Sequence, residues 1–300
     1  MIKKIRRKIY YYAAFVASKL VLLLPYKFSV AVLGRFFGLI GYYVAPVSKI
    51  AVKNLSECFP EKTQDEIIKI AKEVFINQGK NFFELANFPK LTPEILKKIS
   101  KVEKAHLIKE TVAKGKGVLI ISAHTGNWEI TAAAVANFGV PVNVVAKKIY
   151  IKELNDMLVG YRTSKNVKVI LKDSPDTGRK LLKALKRGEI IAMLIDQDTK
   201  VPGIFVDFFG KPAWTPSGLA VIALKSGAEV LLGVDKRNGR YLHETVIKGP
   251  INIKRTDDFD ADVRALTQEA TNMLEQHIRK YPSQWVWFHE RWKTKKQNKG

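Results

Sequence analysis

The chain has 300 residues, room for one large domain or a domain with an appendage, and 47% of them are hydrophobic, as in an ordinary folded protein. Lys and Arg number 51 against 28 Asp and Glu, and the resulting charge of +23 favours an anionic partner: nucleic acid, an anionic membrane, an acidic protein or a phosphorylated substrate. Cys58 is the only cysteine, which excludes an intrachain disulfide and any multi-cysteine metal site.

The chain opens on the basic run IKKIRRK at residues 2–8, followed by an apolar run over 9–24 broken only by Ser18 and Lys19. Pro25 ends it, and a second apolar stretch over 28–47 is interrupted by Arg35. Neither reaches the ~20 uninterrupted apolar residues of a clean transmembrane helix. Tyr10, Tyr11 and Tyr12 beside the basic cluster suit a lipid headgroup interface. Residues 1–48 are therefore predicted to be membrane-attached helices, lying in the interface or dipping through it.

Thr63 followed by Glu66 is a capping-box pattern at the start of a helix, and Thr92-Pro93-Glu94 starts another with proline at its first position. From Gly117 the pattern alternates. Strands are predicted over 118–122, 142–146, 167–171, 190–195 and 230–234, with helices over 128–138, 152–165, 176–187 and 217–224 between them. A hairpin partner follows near 241–247, then a long helix over 260–280. Short strands separated by helices predict an α/β domain over 49–292, its central sheet mostly parallel and flanked by helices. Residues 293–300 read as a frayed basic tail.

The chemistry concentrates in GVLIISAHTGNWEI, residues 117–130. His124 and Glu129 are five residues apart, ~140° off a common face if both were helical. They can meet if His124 ends the strand and Glu129 lies in the first helical turn, with Gly126 and Asn127 forming the bend. Glu129 would then hold the imidazole in one tautomer, and His124 would take a proton from an alcohol. Backbone N–H groups at the helix start offer an oxyanion site. Ser122 lies in no nucleophile-elbow pattern, so direct attack by a substrate hydroxyl on an activated acyl group fits better than an acyl-enzyme. His106 sits in a lysine-rich helical stretch, His243 reads as part of a surface strand, His277 as part of a polar helix, and His289 as a structural member of the aromatic segment 285–292. None has metal-ligand spacing, so no metal is expected.

The octet Ser122-Ala123-His124-Thr125-Gly126-Asn127-Trp128-Glu129 resembles the His-x-Gly-Asn-Trp-Glu signature of the bacterial lipid A biosynthesis acyltransferases of lauroyl and myristoyl transferase type, within the His-x4-Asp/Glu acyltransferase superfamily. Four further blocks are similar in the same order: Asn54-Leu55 with Cys58-Phe59-Pro60-Glu61, the pair Asn155 and Arg162, Asp196-Gln197-Asp198, and Phe208-Phe209-Gly210-Lys211 with Thr215-Pro216. The resemblance implies a glycerolipid acyltransferase-like fold. It also implies transfer of a fatty acyl chain from an acyl carrier protein thioester to a hydroxyl of a lipid A precursor, without a cofactor. On that resemblance His124 is the general base and Glu129 its partner. Gly126, Asn127 and Asn155 support the site, Arg162 binds a phosphate or orients the dyad, and Asp196 or Asp198 supports it. Acyl carrier protein is acidic and lipid A precursors are phosphorylated, so a basic face serves both.

Since acyl carrier protein is cytoplasmic, and a basic leader before one true span would leave the catalytic domain outside, the expected attachment is monotopic, on the cytoplasmic face of the inner membrane. Two other readings are a lysophospholipid or other glycolipid acyltransferase with the same chemistry, and a non-catalytic membrane-surface or nucleic-acid-binding protein. The aromatics lie mostly in apolar runs rather than interleaved with lysines, which argues against a base-stacking platform and a nucleic-acid partner.

Overall fold

The computed structural model describes residues 2–172 and 174–296. Helices α1 (Ile2–Leu23), α2 (Tyr26–Phe28), a π-helical turn (Ser29–Leu33) and α3 (Gly34–Val44) open the chain, followed by α4 (Ser48–Cys58) and α5 (Gln64–Ala86). The Thr63 side chain accepts from Glu66 N–H while the Glu66 carboxylate accepts from Thr63 N–H, the expected capping box at the start of α5. Then come α6 (Pro93–Ile99), β1 (Ser100–Glu103), α7 (Ala105–Ala113), β2 (Val118–Ser122), α8 (Trp128–Ala136), β3 (Val142–Ala146), α9 (Lys152–Thr163), β4 (Val167–Leu171), α10 (Thr177–Lys186) and β5 (Ile190–Leu194). The chain closes with β6 (Gly203–Phe208), β7 (Lys211–Pro216), α11 (Gly218–Ser226), β8 (Glu229–Asn238), β9 (Leu242–Lys248) and α12 (Phe259–Lys280).

Seven strands form one sheet in the order β1-β9-β8-β2-β5-β3-β4. Strands β8, β2, β5, β3 and β4 run parallel, β9 is antiparallel to β8, and β1 is parallel to β9. The expected α/β class with a mostly parallel sheet flanked by helices is the observed one. β2 lies centrally and is buried on both faces, which is why VLIIS is a continuous apolar run rather than an alternating one. Leu119 and Ile121 join the core formed with α4, α5, α10, α11 and α12, while Val118 and Ile120 pack toward α7 and α8.

Two strand regions were not foreseen in the sequence: β1, and the separate β6–β7 hairpin. The hairpin turns through Phe209 and Gly210, both left-handed at φ 57° and 71°, the conformation of a two-residue primed turn. Such a φ is costly for phenylalanine. The buried ring recovers that cost against Phe59 and Trp287.

α3 crosses α5 at backbone contact. A Cβ on Gly38 would stand 2.5 Å from Ile76 Cα, and one on Gly79 would stand 2.2 Å from the Gly34 carbonyl oxygen. Only hydrogen at these positions permits the approach. The stretch Tyr26–Val44 is long and apolar enough to cross a membrane, with mean hydropathy 1.2, yet one of its faces is fastened to α5 in this way. The opposite face, with Val32, Phe36, Ile40 and Tyr43, is exposed, as are Ile9, Val16 and Leu20 of α1.

Candidate active site

The site forms where β2 and β5 end. In their parallel register Ser122 stands beside Leu194. Two residues further along each chain come His124 and Asp196, side by side beyond the carboxyl ends of the strands, the usual ligand position in open α/β sheets. His124 Nδ1–H donates to Asp196 Oδ1 at 2.9 Å, and the His124 backbone N–H donates to Oδ2 at 2.8 Å. The Trp285 indole N–H also donates to Oδ2, at 2.7 Å. Burial pushes the Asp196 carboxyl up, but the neighbouring imidazole and these donors outweigh it and hold the group below the usual carboxylate range.

The expected contact between His124 and Glu129 is not the one the structure makes. Glu129 lies in the first turn of α8, as anticipated, but its carboxylate takes a fork of bonds from Arg162: Nε–H to Oε2 at 2.8 Å and Nη2–H to Oε1 at 2.5 Å. Two faces of the Arg162 guanidinium, at Nε and Nη2, are thereby engaged with a carboxylate, while the side chain also lines the cavity beside His124. The fork ties the start of α8 to α9, while Asp196 fills the position beside the imidazole that the spacing had given to Glu129.

The turn itself is fastened from several sides. Asn127 caps α8, its Oδ1 accepting from Glu129 N–H at 3.0 Å and Ile130 N–H at 3.2 Å. Asn127 N–H donates to Asp235 Oδ2 at 2.7 Å, and Gly126 N–H to the Gln284 carbonyl at 2.9 Å. These N–H groups are already bonded within the protein, so the oxyanion role expected of the helix start does not fall to them. Gly126 sits at φ +54°, and a Cβ there would come within 2.2 Å of the Asp235 carboxylate. Both the conformation and the close approach require glycine.

Behind the turn lies a buried ionic cluster that the sequence reading missed. His243, expected on a surface strand, is fully enclosed. Its Nδ1 is 2.8 Å from Asp235 Oδ2 and its Nε2 is 3.0 Å from Glu84 Oε1. With a carboxylate on each nitrogen, both must donate, so the ring is an imidazolium. Burial would lower its pKa, but the charges of Asp235 and Glu84 raise it to about 9. Arg237 Nη2–H donates to Glu84 Oε2 at 2.8 Å, and the Asn127 side-chain amide donates to the same oxygen at 2.7 Å. Two cations thus face two carboxylates, and the set is joined to the turn after β2 through Asn127.

His277 also departs from expectation: it is buried, its ring Nε2 lies 3.2 Å from the Asp235 carbonyl, and desolvation lowers its pKa to about 4. His106 is exposed on α7. Asp198 accepts from Thr294 N–H at 2.8 Å and Thr294 Oγ1–H at 3.0 Å. It fastens the C-terminal segment rather than touching His124, and the tail expected to fray is anchored at that point, while residues 297–300 lie outside the described residues. Asn155 accepts from Ile149 N–H at 3.1 Å and shapes the loop between β3 and α9. The Asn54 amide donates to the Trp287 carbonyl at 2.8 Å and the His289 carbonyl at 3.1 Å, holding the aromatic segment that delivers Trp285 to Asp196.

His124 opens into a cavity of about 510 Å³. Ile120, Ala132, Val135, Val142, Val144 and Ala192 line one arm between the sheet and α8, and Glu129 and Arg162 stand at the polar part. A polar corner joined to an apolar recess suits an amphiphile whose reacting atom stays near the histidine.

A family model described as bacterial lipid A biosynthesis acyltransferase matches residues 2–294. A phosphatidylinositol mannoside acyltransferase of Mycobacterium tuberculosis is 25% identical over 187 residues, 60% of this chain and 56% of that protein. The chain thus spans little more than half the length of these mycobacterial relatives. A lipid A biosynthesis palmitoleoyltransferase of Escherichia coli is 24% identical over 82% of this chain and 78% of its own. A lipid A biosynthesis lauroyltransferase of the same organism is 26% identical over 83% and 79%.

Proposed function

The chain belongs to the bacterial lipid A biosynthesis acyltransferase family, and on that premise we propose that it transfers a fatty acyl chain from an acyl carrier protein thioester to a hydroxyl of a lipid A precursor. The observation that carries the reading is His124, pinned by Asp196, in the lining of a cavity with a largely apolar wall. With Nδ1–H held by the carboxylate, Nε2 is the nitrogen that takes the proton of the attacking hydroxyl. The hydroxyl oxygen bonds to the thioester carbonyl carbon, the C–S bond breaks, and the thiolate leaves with the proton returned from the imidazolium. Asp196 holds the imidazolium that forms between the two proton transfers. A thioester is already activated, so no enzyme nucleophile and no cofactor is required. The apolar arm receives the acyl chain, which keeps its carbonyl beside His124.

Purified protein given acyl carrier protein loaded with a radiolabelled acyl chain and a detergent-solubilised lipid A precursor is expected to move label into the precursor. Transfer with neither that precursor nor another hydroxylated glycolipid would overturn the reading. A second acceptor class, a mannosylated phosphoinositide or similar glycolipid, is favoured by the name of the mycobacterial relatives. Mass spectrometry of lipid A from a deletion strain separates the two, since an unchanged acyl count rejects the lipid A precursor.

The exposed apolar faces of α1 and of Tyr26–Val44 support attachment to a membrane, and the proposed acyl carrier protein donor, which is cytoplasmic, assigns that attachment to the cytoplasmic side of the inner membrane. The close crossing of α3 on α5 favours a helix lying along the domain over one that leaves it to span. A single cysteine introduced on the catalytic domain, for example at Arg179 with Cys58 replaced by Ser, is expected to resist a membrane-impermeant maleimide in intact cells. Labelling before lysis would place the domain outside and refute the topology.

A further inference from the structure

Besides His124 and its neighbours Glu129 and Arg162, two charged side chains line the cavity: Lys147 and Lys172. Each follows the last residue of a parallel strand. Ala146 ends β3 beside Leu171, which ends β4, so Lys147 and Lys172 are the next pair in register. The Lys172 backbone N–H donates to the Ala146 carbonyl at 3.0 Å, extending the ladder past the strand ends and fixing the two residues side by side. Neighbouring strands lie ~4.8 Å apart, so the two flexible side chains leave the backbone close together, and both line the cavity. No carboxylate among the described residues forms an ion pair with either one, whereas Glu129 is engaged by Arg162 and His124 by Asp196. Lys147 is exposed and Lys172 half-buried, so the pair stands at the solvent side of the cavity, where an anion placed between the two ammonium groups would be attracted by both.

We propose that Lys147 and Lys172 form a phosphate subsite for a substrate whose reacting group stands at His124. The inference rests on the acyl-transfer reading for its role, but not for its test. Phosphate fits because it offers several acceptor oxygens and up to two charges to two ammonium donors. Such a group occurs in both proposed substrates, as the phosphate of the glycolipid acceptor and as the phosphodiester of the pantetheine arm of the donor. Lys148, next in sequence, does not line the cavity and serves as the charge-matched control.

The test is equilibrium binding, independent of transfer. Calorimetric titration with dioleoyl phosphatidate in nonionic micelles is compared with dioleoylglycerol in the same micelles. Wild-type protein is expected to bind the phosphatidate roughly tenfold or more tightly, a difference of about 1.4 kcal/mol. The pair Lys147→Ala and Lys172→Ala should erase that preference, Lys147→Arg with Lys172→Arg should keep it, and Lys148→Ala should leave it in place. No preference in the wild type, or an equal loss in Lys148→Ala, overturns the subsite. Phosphopantetheine and pantetheine are then added as competitors. Displacement by the phosphorylated arm alone assigns the subsite to the donor, and failure of both to displace assigns it to the acceptor. If transfer fails while binding follows this pattern, the acyl-transfer reading falls and the subsite stands.

Discussion

Replacing Asp196 by Asn is expected to lower the rate of acyl transfer by ~10²–10⁴-fold, close to the loss for His124→Ala, while leaving the melting temperature near that of the wild type. Geometry dictates which way the new amide turns. Asp196 Oδ2 accepts from two N–H donors, those of the His124 backbone and the Trp285 indole. An amide nitrogen placed there would face donors on both sides. The amide therefore turns its NH2 toward His124 Nδ1, which must then act as acceptor. The proton moves to Nε2, and that nitrogen can no longer receive one from the substrate. The defect is thus in kcat rather than KM. Glu129→Gln gives the informative contrast. It weakens the fork to Arg162 but leaves the imidazole tautomer alone, so its loss should be about tenfold, with part of it in KM. Equal losses at Glu129 and Asp196 in a transfer assay would return the orienting role to Glu129 and sink the assignment.

The contrast also marks where the sequence was legible. From β2 to β5 the alternation of apolar runs with helical spacing places each element within two residues of its observed bounds, because periodicity is a local property. His124 at a strand end and Glu129 in the first helical turn follow from the same local pattern. Which carboxylate meets the imidazole does not. That depends on the register of β2 against β5, set by packing across the sheet between residues separated by some seventy positions. Glu129 is near in sequence, but its carboxylate is drawn toward α9 by a guanidinium whose position is equally non-local. The β6–β7 hairpin was hidden by Pro212 and Pro216, and by a turn that uses phenylalanine where glycine or asparagine is usual. His243 was misread although a signal existed. In β9 it alternates with Thr245 and Ile247, and that period of two puts it on the inward face.

The buried cluster predicts the largest effect on stability. Glu84→Ala removes the carboxylate that faces both Arg237 and His243 and leaves two cations with one buried counter-charge. Breaking a buried pair on one side costs ~3–5 kcal/mol, which for a chain of this size lowers the melting temperature by roughly 10 °C. The turn between β2 and α8 is expected to loosen as well, because Asn127 loses the acceptor of its side-chain amide. Glu84→Gln keeps the shape and one acceptor and should lose less. The pH dependence has a definite sign. The His243 pKa is raised from 6.5 to about 9 in the folded state, so its contribution is full below about pH 6.5 and disappears as the pH rises through about 9. The melting temperature of the wild type should therefore decline on the alkaline side of neutrality. In Glu84→Gln, with one of the two attracting carboxylates gone, the decline should be smaller and end at lower pH, because only the folded-state pKa falls. His277 acts in the opposite direction. Held neutral with a pKa near 4, it penalises folding as the pH falls below about 6.5, so the two buried histidines bracket the stability optimum from either side. A wild-type melting temperature that stays flat from pH 7 to well above 9, together with a loss under ~1 kcal/mol in Glu84→Ala, would show that the cluster carries no net charge coupling and that the turn is held by Asp235 and Asn127 alone.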